Sequence, residues 1–263
     1  MSNSALNSDT KAFCFDIFGT CVDWRKSVTN ELHSEAQRAV VGANAVAPAA
    51  GKAKAMTREA WGDIAAEWRQ TYYKFTRELA SNPDTPFKTV DQHHHDALID
   101  ILSNHGLTGL WTDAEIQHLA QVWHRLDSWP DTNEGLQLLG KHYQTATLSN
   151  GNVSLLKDMQ VHSGMQFTHT FSAEMFGTYK PNPRVYLGAT EELGAKPEQV
   201  AMVAAHLGDL KAAKSNGLQT VYVEREREES LDMDQARQEG YVDLWIGKGE
   251  GGFLGVTKAL GID

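Results

Sequence analysis

Four short stretches carry side chains suited to nucleophilic chemistry. "AFCFDIFGT" ends an apolar run in Asp16, with Gly19 and Thr20 close behind. A carboxylate is largely ionised at neutral pH and can attack an electrophile, giving an ester-type intermediate that water later cleaves. "TLSNG" sets the donors Ser149 and Asn150 side by side. "YKPNPRVY" presents Lys180 ahead of two prolines, which stiffen the loop and aim the side chain. "AAHLGD" adds a second carboxylate, Asp209, close to a histidine, His206.

Residues so far apart need a scaffold that gathers them. "AFCFDIF" has the apolar, aromatic texture of a buried strand and is closed by a glycine turn. After residue 130 the pattern alternates. "NEGLQLLGKHY", "VSLLKDMQVHSG", "NPRVYLGATEELG" and "LKAAKSNG" predict helices, and "QTATLSNG", "FTHTFSAEMFG", "QVAMVA" and "LQTVYVERE" contain strands. Such alternation predicts an α/β fold with a parallel sheet, a Rossmann-like three-layer core. Ligands bind such sheets at the carboxyl ends of the strands. Asp16, Ser149 and Asp209 all fall at or just beyond such ends.

Asp16 and Ser149 stand 133 positions apart, far more than one crossover needs. The excess reads as a helical insert, a cap over the core. "TREAWGDIAAEWRQTYYKFTRELA", "HHHDALIDILSNHG" and "DAEIQHLAQVWHRL" predict helices, and residues 42–57 predict a loop or weak helix. The expected division is a core of residues 1–23 and 131–263 with a cap of residues 24–130.

Composition narrows the class. The chain has 263 residues, and its 41% hydrophobic content is enough for a packed core. A formal net charge of -10 argues against nucleic-acid or anionic-membrane partners, yet local cations can still reverse the field inside a cleft. The two cysteines, Cys14 and Cys21, are too few for a disulfide scaffold and read as small buried residues. The polar N-terminus lacks the apolar core of a signal peptide, and no run is long enough to span a membrane. The expectation is a cytoplasmic protein.

Taken in order, the aspartate, serine, lysine and acid resemble the motifs of the haloacid dehalogenase superfamily over residues 11–23 and 131–223. The family pattern departs here in two places. Its magnesium-dependent phosphatases carry D-x-D in the first motif and G-D-x-x-x-D in the fourth. Phe18 replaces the second aspartate, and Ala204 and Ala205 stand where G-D is expected. A leaving-group acid and a metal ligand are thus missing. Displacement of halide from carbon needs neither. "FDIFGT" is similar to the D-x-[YF]-G-T opening of the L-2-haloacid dehalogenase subfamily, and "AAEWRQTYYKF" to its W-R-Q stretch.

The resemblance implies metal- and cofactor-free hydrolysis of short (S)-2-haloacids to (R)-2-hydroxyacids through an aspartyl ester. By it, Asp16 is the nucleophile, and Thr20 and Ser149 hydrogen-bond the carboxylates. Lys180 holds Asp16 ionised and Asp209 positions or activates water. Arg69 and Asn150 hold the leaving halide, Tyr186 is a further polar site residue, and Phe18 and Trp24 supply apolar wall. His206 departs from the subfamily's S-S-N-x-x-D and could position water or act as a base. The implied partner is a small anionic haloacid, and, since related cap helices often form dimers, a second copy of the chain in a homodimer is the other partner the resemblance allows. The alternatives are a phosphatase or other hydrolase of the superfamily, or a non-catalytic binding protein on this fold.

Other features have plainer readings. The three consecutive histidines, His93 to His95, point in different directions on a helix and do not make a ligand face. "GKGEGG" lacks the ending of a phosphate loop and reads as a turn. "EREREES" reads as a solvated charge run. Trp61, Trp68, Tyr72 and Trp123 recur at helical spacing and read as packing.

Overall fold

The apolar run before Asp16 forms β1 (Ala12–Phe15), with all four residues buried. A strand covered on both faces has no polar side, so a continuous apolar run is what a central parallel strand requires. The computed structural model describes residues 6–82 and 86–262; the start of the polar N-terminal stretch lies outside them.

Five more strands follow: β2 (Gln144–Ser149), β3 (His169–Ser172), β4 (Val200–Ala204), β5 (Gln219–Val223) and β6 (Leu244–Ile246). They form one sheet in the order β3-β2-β1-β4-β5-β6, and every pairing is parallel. Phe15 lies opposite Thr147 on one side and Val203 on the other. The ends of β1, β2 and β4 are therefore level, and Asp16, Ser149 and residue 205 reach one edge together. The chain leaves β1 toward β2 and β3 on one side, then returns to β4 on the other. That reversal opens a crevice at the carboxyl end of β1, where α/β sheets place their ligands. In β2 the buried Thr147 hydroxyl bonds to both the N–H and the C=O of Phe171 at 2.9 Å, so its polarity is satisfied inside the sheet.

Between β1 and β2 run α1 (Trp24–Val41), α2 (Ala47–Ala55), α3 (Arg58–Ser81), α4 (Val90–Asn104), α5 (Asp113–Ala120) and a 3-10 turn over Gln121–His124. The expected loop or weak helix at 42–57 is largely helix α2. In α3 the Thr57 side chain accepts from Ala60 N–H and caps the start. Its buried stripe runs Trp61, Ile64, Ala65, Trp68, Arg69, Tyr72, Thr76 and Leu79. This is the i, i+3, i+4 spacing of a helix with one face inward, and Arg69 is the one charge in it.

The remaining helices are α6 (Thr132–Gly140), α7 (Val153–Ser163), α8 (Pro183–Glu192), α9 (Leu207–Ser215), α10 (Met233–Glu239) and α11 (Phe253–Ala259). α6 precedes β2, and the others alternate with the strands. The α/β alternation expected from the sequence is present. β6, α10 and α11 lie beyond the elements that sequence patterning resolved.

The three histidines diverge as expected. His93 stacks on Phe75 with ring centres 4.3 Å apart, His94 is buried against Trp123, and His95 faces Asp96. Burial pushes the His94 imidazole well below its ordinary pKa, so it stays neutral. Both cysteines are buried and free. The expectation of a solvated run at 224–230 holds for Glu226, Arg227 and Ser230, which are exposed, but not for Arg225. Arg225 is buried and grips Asp131 with two bonds of 2.6 and 2.8 Å. Its Nε donates to Thr20 O. A planar guanidinium matches a carboxylate bidentately, which offsets the desolvation of both charges.

Candidate active site

Asp16 stands one residue past β1, where the chain turns through Gly19 at φ +86°, a conformation that favours glycine. The turn brings Thr20 back so that its hydroxyl donates to Asp16 Oδ2 at 2.8 Å. The same hydroxyl accepts from Ala205 N–H, pinning the loop after β1 to the end of β4.

Lys180 Nζ donates to Asp16 Oδ1 at 3.0 Å and to Asp209 Oδ2 at 2.5 Å. Asp209 lies in the first turn of α9, where the helix dipole favours a negative charge. Its other oxygen, Oδ1, accepts from the Tyr186 hydroxyl at 2.6 Å. Both oxygens of Asp209 are thus engaged. Burial alone would raise the Asp16 carboxyl. Lys180, His206 and the Thr20 hydroxyl outweigh it and hold the group well below the usual carboxylate range. Burial likewise disfavours the Lys180 ammonium, but Asp16 and Asp209 hold it charged. The result is an ionised carboxylate, buried yet facing a cavity.

His206 precedes α9, and its Nδ1 lies 3.0 Å from Asp16 Oδ2. Its Nε2 lies 3.2 Å from Glu228 Oε2 and 3.3 Å from the Tyr73 hydroxyl. Burial opposes charge on the ring, but Tyr73, Asp16 and Glu228 together raise its pKa well above the ordinary value. Sequence reasoning missed Glu228 and Tyr73. The first sat in a charge run and the second beside a packing tyrosine.

The helical insert contributes Arg69. Its Nη2 donates to Phe18 O at 3.3 Å and to the Tyr73 hydroxyl at 3.2 Å. Its guanidinium carbon lies 4.4, 4.5 and 5.1 Å from the ring centres of Tyr72, Tyr73 and Phe18. Aromatic faces attract a cation and cushion its loss of water. Nε and Nη1 are buried without a protein partner. A buried guanidinium with no carboxylate of its own is costly unless an anion answers it.

These groups line a cavity of about 520 Å³, within the range of roughly 300–1,000 Å³ typical of small-molecule sites. Asp16, Lys180, His206 and Asp209 lie on the sheet side of it, and Arg69 and Tyr73 on the α3 side. Trp24 and Asn150 also line it. Phe18 sits behind Arg69 and meets Tyr72 and Trp123 edge-on.

Two expected donors are used differently. Ser149 Oγ accepts from Gly151 N–H at 3.2 Å and so shapes the turn after β2. Asn150 accepts from Lys180 N–H at 2.7 Å and donates to Lys180 O at 3.3 Å, clasping the lysine's backbone. Both position neighbours; neither bonds Asp16.

The residues do not fit a magnesium site. A hard cation needs several oxygen ligands. Asp16 and Asp209 share the Lys180 ammonium, and Phe18 and Ala205 stand where acids would be needed. Among the described residues no group of three His, Cys, Asp or Glu side chains is arranged to hold a metal.

Residues 10–217 match the family model described as haloacid dehalogenase-like hydrolase. The chain belongs to that family. An (S)-2-haloacid dehalogenase 4A of Burkholderia cepacia is 28% identical over 82% of this chain and 84% of its own. An (S)-2-haloacid dehalogenase 1 of a Pseudomonas species is 27% identical over 82% and 85%. Among solved structures, a defluorinating L-2-haloacid dehalogenase is 31% identical, with a TM-score of 0.76 and 90% of each chain covered. Another L-2-haloacid dehalogenase is 30% identical, with a TM-score of 0.78, covering 95% of this chain and 99% of that one. This haloacid dehalogenase-like hydrolase has no helix among its described residues that is long and apolar enough to cross a membrane.

Proposed function

We propose that the protein hydrolyses short (S)-2-haloacids to (R)-2-hydroxyacids, with residues 24–130 acting as a cap over a core of residues 1–23 and 131–263. The observation that carries this reading is the pairing across one cavity. An ionised Asp16 held by Lys180 lies on the sheet side, and a buried Arg69 with unpartnered nitrogens lies on the α3 side. The similarity to (S)-2-haloacid dehalogenases over four-fifths of the chain supports it.

In this reading Asp16 attacks carbon two from the face opposite the halide. The carbon–oxygen bond forms as the carbon–halogen bond breaks, which inverts the centre. Heavier halides leave as stable anions and need no proton, which suits a site with Phe18 in place of an acid. Arg69 in its aromatic surround receives negative charge, through electrostatics strengthened by exclusion of water. Lys180 orients Asp16, and Asp209 with Tyr186 orients Lys180. Water then cleaves the ester and restores Asp16.

The test is halide release from (S)-2-chloropropionate with EDTA present. Steady release with (R)-lactate as product is expected. Asp16→Asn should lower it by about 10⁴-fold or more, the scale seen when a nucleophile is removed. Absence of release, retention of configuration, or turnover by a variant shown by mass spectrometry to keep its asparagine would overturn the reading.

A further inference from the structure

The second half of the reaction needs a base, and the geometry offers a better one than Asp209. Both Asp209 oxygens are occupied, by Lys180 and Tyr186. His206 Nδ1 instead lies 3.0 Å from Asp16 Oδ2, against the atoms where water must attack an ester. Its far nitrogen meets Glu228, whose side chain is only 4% exposed.

The seat of Glu228 is built by several parts of the chain. Arg225, three residues earlier, is buried and bound to Asp131 and to Thr20 O. Glu229, one residue later, accepts from Leu207 N–H and caps the helix that follows His206. Gly19 makes room, since a Cβ there would overlap the Glu228 carboxylate. The charge run is thus anchored on both sides of Glu228, with the carboxylate directed at the ring.

We propose that Glu228 and His206 form the base pair that hydrolyses the Asp16 ester, Glu228 positioning the imidazole and fixing its tautomer. This rests on the haloacid reading of the same site. In the resting enzyme the ring lies between Asp16 and Glu228 and carries a proton on each nitrogen. Alkylation removes the charge of Asp16, and the Nδ1 proton passes to solvent through the cavity. Nε2–H keeps its bond to Glu228, and the Nδ1 lone pair faces the ester. Water adds to Asp16 Cγ as Nδ1 takes its proton. The tetrahedral adduct expels the product alkoxide, which takes that proton back. The carboxylic acid left at Asp16 then protonates Nδ1 and the resting state returns. One halide and one proton leave per turnover, so the balance closes. Asp16 from the β1 loop, Glu228, and Tyr73 of α3 face the ring, with Arg69 beyond Tyr73.

Rapid-quench reaction of the wild type, Glu228→Gln and His206→Gln with (S)-2-chloropropionate tests this. In both variants a burst of one halide per site should persist while later turnover falls ~10- to 100-fold, as loss of a positioned base implies. Intact-mass analysis should then show the ester accumulating on the Asp16 peptide. The pH dependence of ester hydrolysis should flatten in His206→Gln. Hydrolysis at the wild-type rate in both variants, or slowing of the burst with no ester accumulating, would overturn the assignment. A wild type that releases no halide would fail at the haloacid reading itself, which the burst reports separately.

Discussion

His124 lies 3.0 Å from Asp91 and 2.8 Å from Asp158, where the 3-10 turn after α5 meets α4 and α7. His206 lies 3.0 Å from Asp16 and 3.2 Å from Glu228. Each imidazole bridges two carboxylates, and in each the acids raise the ring's pKa against the opposing effect of burial. The surroundings differ. The Asp158 side chain is 66% exposed and Asp91 36%, whereas Asp16 is 11% exposed and Glu228 4%. Asp91 is also tied to Asn152, just before α7, whose side chain accepts from Asp91 N–H. His124 is a clasp between α4 and α7, wetted on one side. His206 opens on a cavity, and in the proposed reaction one of its acids, Asp16, loses its charge by forming a bond. A histidine between acids is structural or chemical according to whether a partner can react.

Lys180 has no counterpart at His124, and removing it should separate the two regions most. Lys180→Met leaves Asp16 and Asp209 as neighbouring buried anions. Halide release should fall by about 10²- to 10³-fold, the scale of one lost electrostatic contact in a dry site. Stability should fall by about 3–5 kcal/mol, the cost of breaking a buried pair. Kinetic assay and urea unfolding read the two effects. His124→Gln should do the opposite: turnover within about twofold of wild type, with a loss of only about 1 kcal/mol because the pair is partly solvated. A large loss of turnover in His124→Gln would show the clasp to be coupled to chemistry and break the comparison.

The smallest effect is the pH dependence of that loss. The folded His124 pKa is raised by Asp91 and Asp158 above the unfolded value of about 6.5. Its stabilisation is therefore fully present below that value and disappears as pH rises through the folded pKa. The stability gap between wild type and His124→Gln should be widest near pH 5.5 and shrink toward pH 9. A gap constant over that range would deny the charged bridge.

What could be read in advance follows from how locally each feature is encoded. Asp16 announces itself because an apolar strand must end and turn at Gly19. Arg69 stands out through the likeness of its stretch to the subfamily's W-R-Q, and Lys180 gains weight from the prolines beside it. Glu228 gave no such signal. A run of alternating charges looks the same whether it faces water or is folded inward. Contacts distant in the chain pull this one in: Arg225 to Asp131, 94 positions away, and Glu229 to Leu207 N–H. Ser149 and Asn150 were legible as site residues but not in their partners, because a side chain next to a tight turn can serve the backbone instead. β6 has three residues, too short for alternation to register.

The two hydrogens of Gly19 have different fates. The pro-S hydrogen occupies the direction an L side chain would take, and that direction leads to the Glu228 carboxylate. The other does not share that neighbour. One carbon in the turn after β1 thereby becomes prochiral in a physical sense, with one of its two protons directed at a carboxylate. Their separation in a proton NMR spectrum is a built-in gauge of whether Glu228 is seated, legible without substrate and without altering any residue.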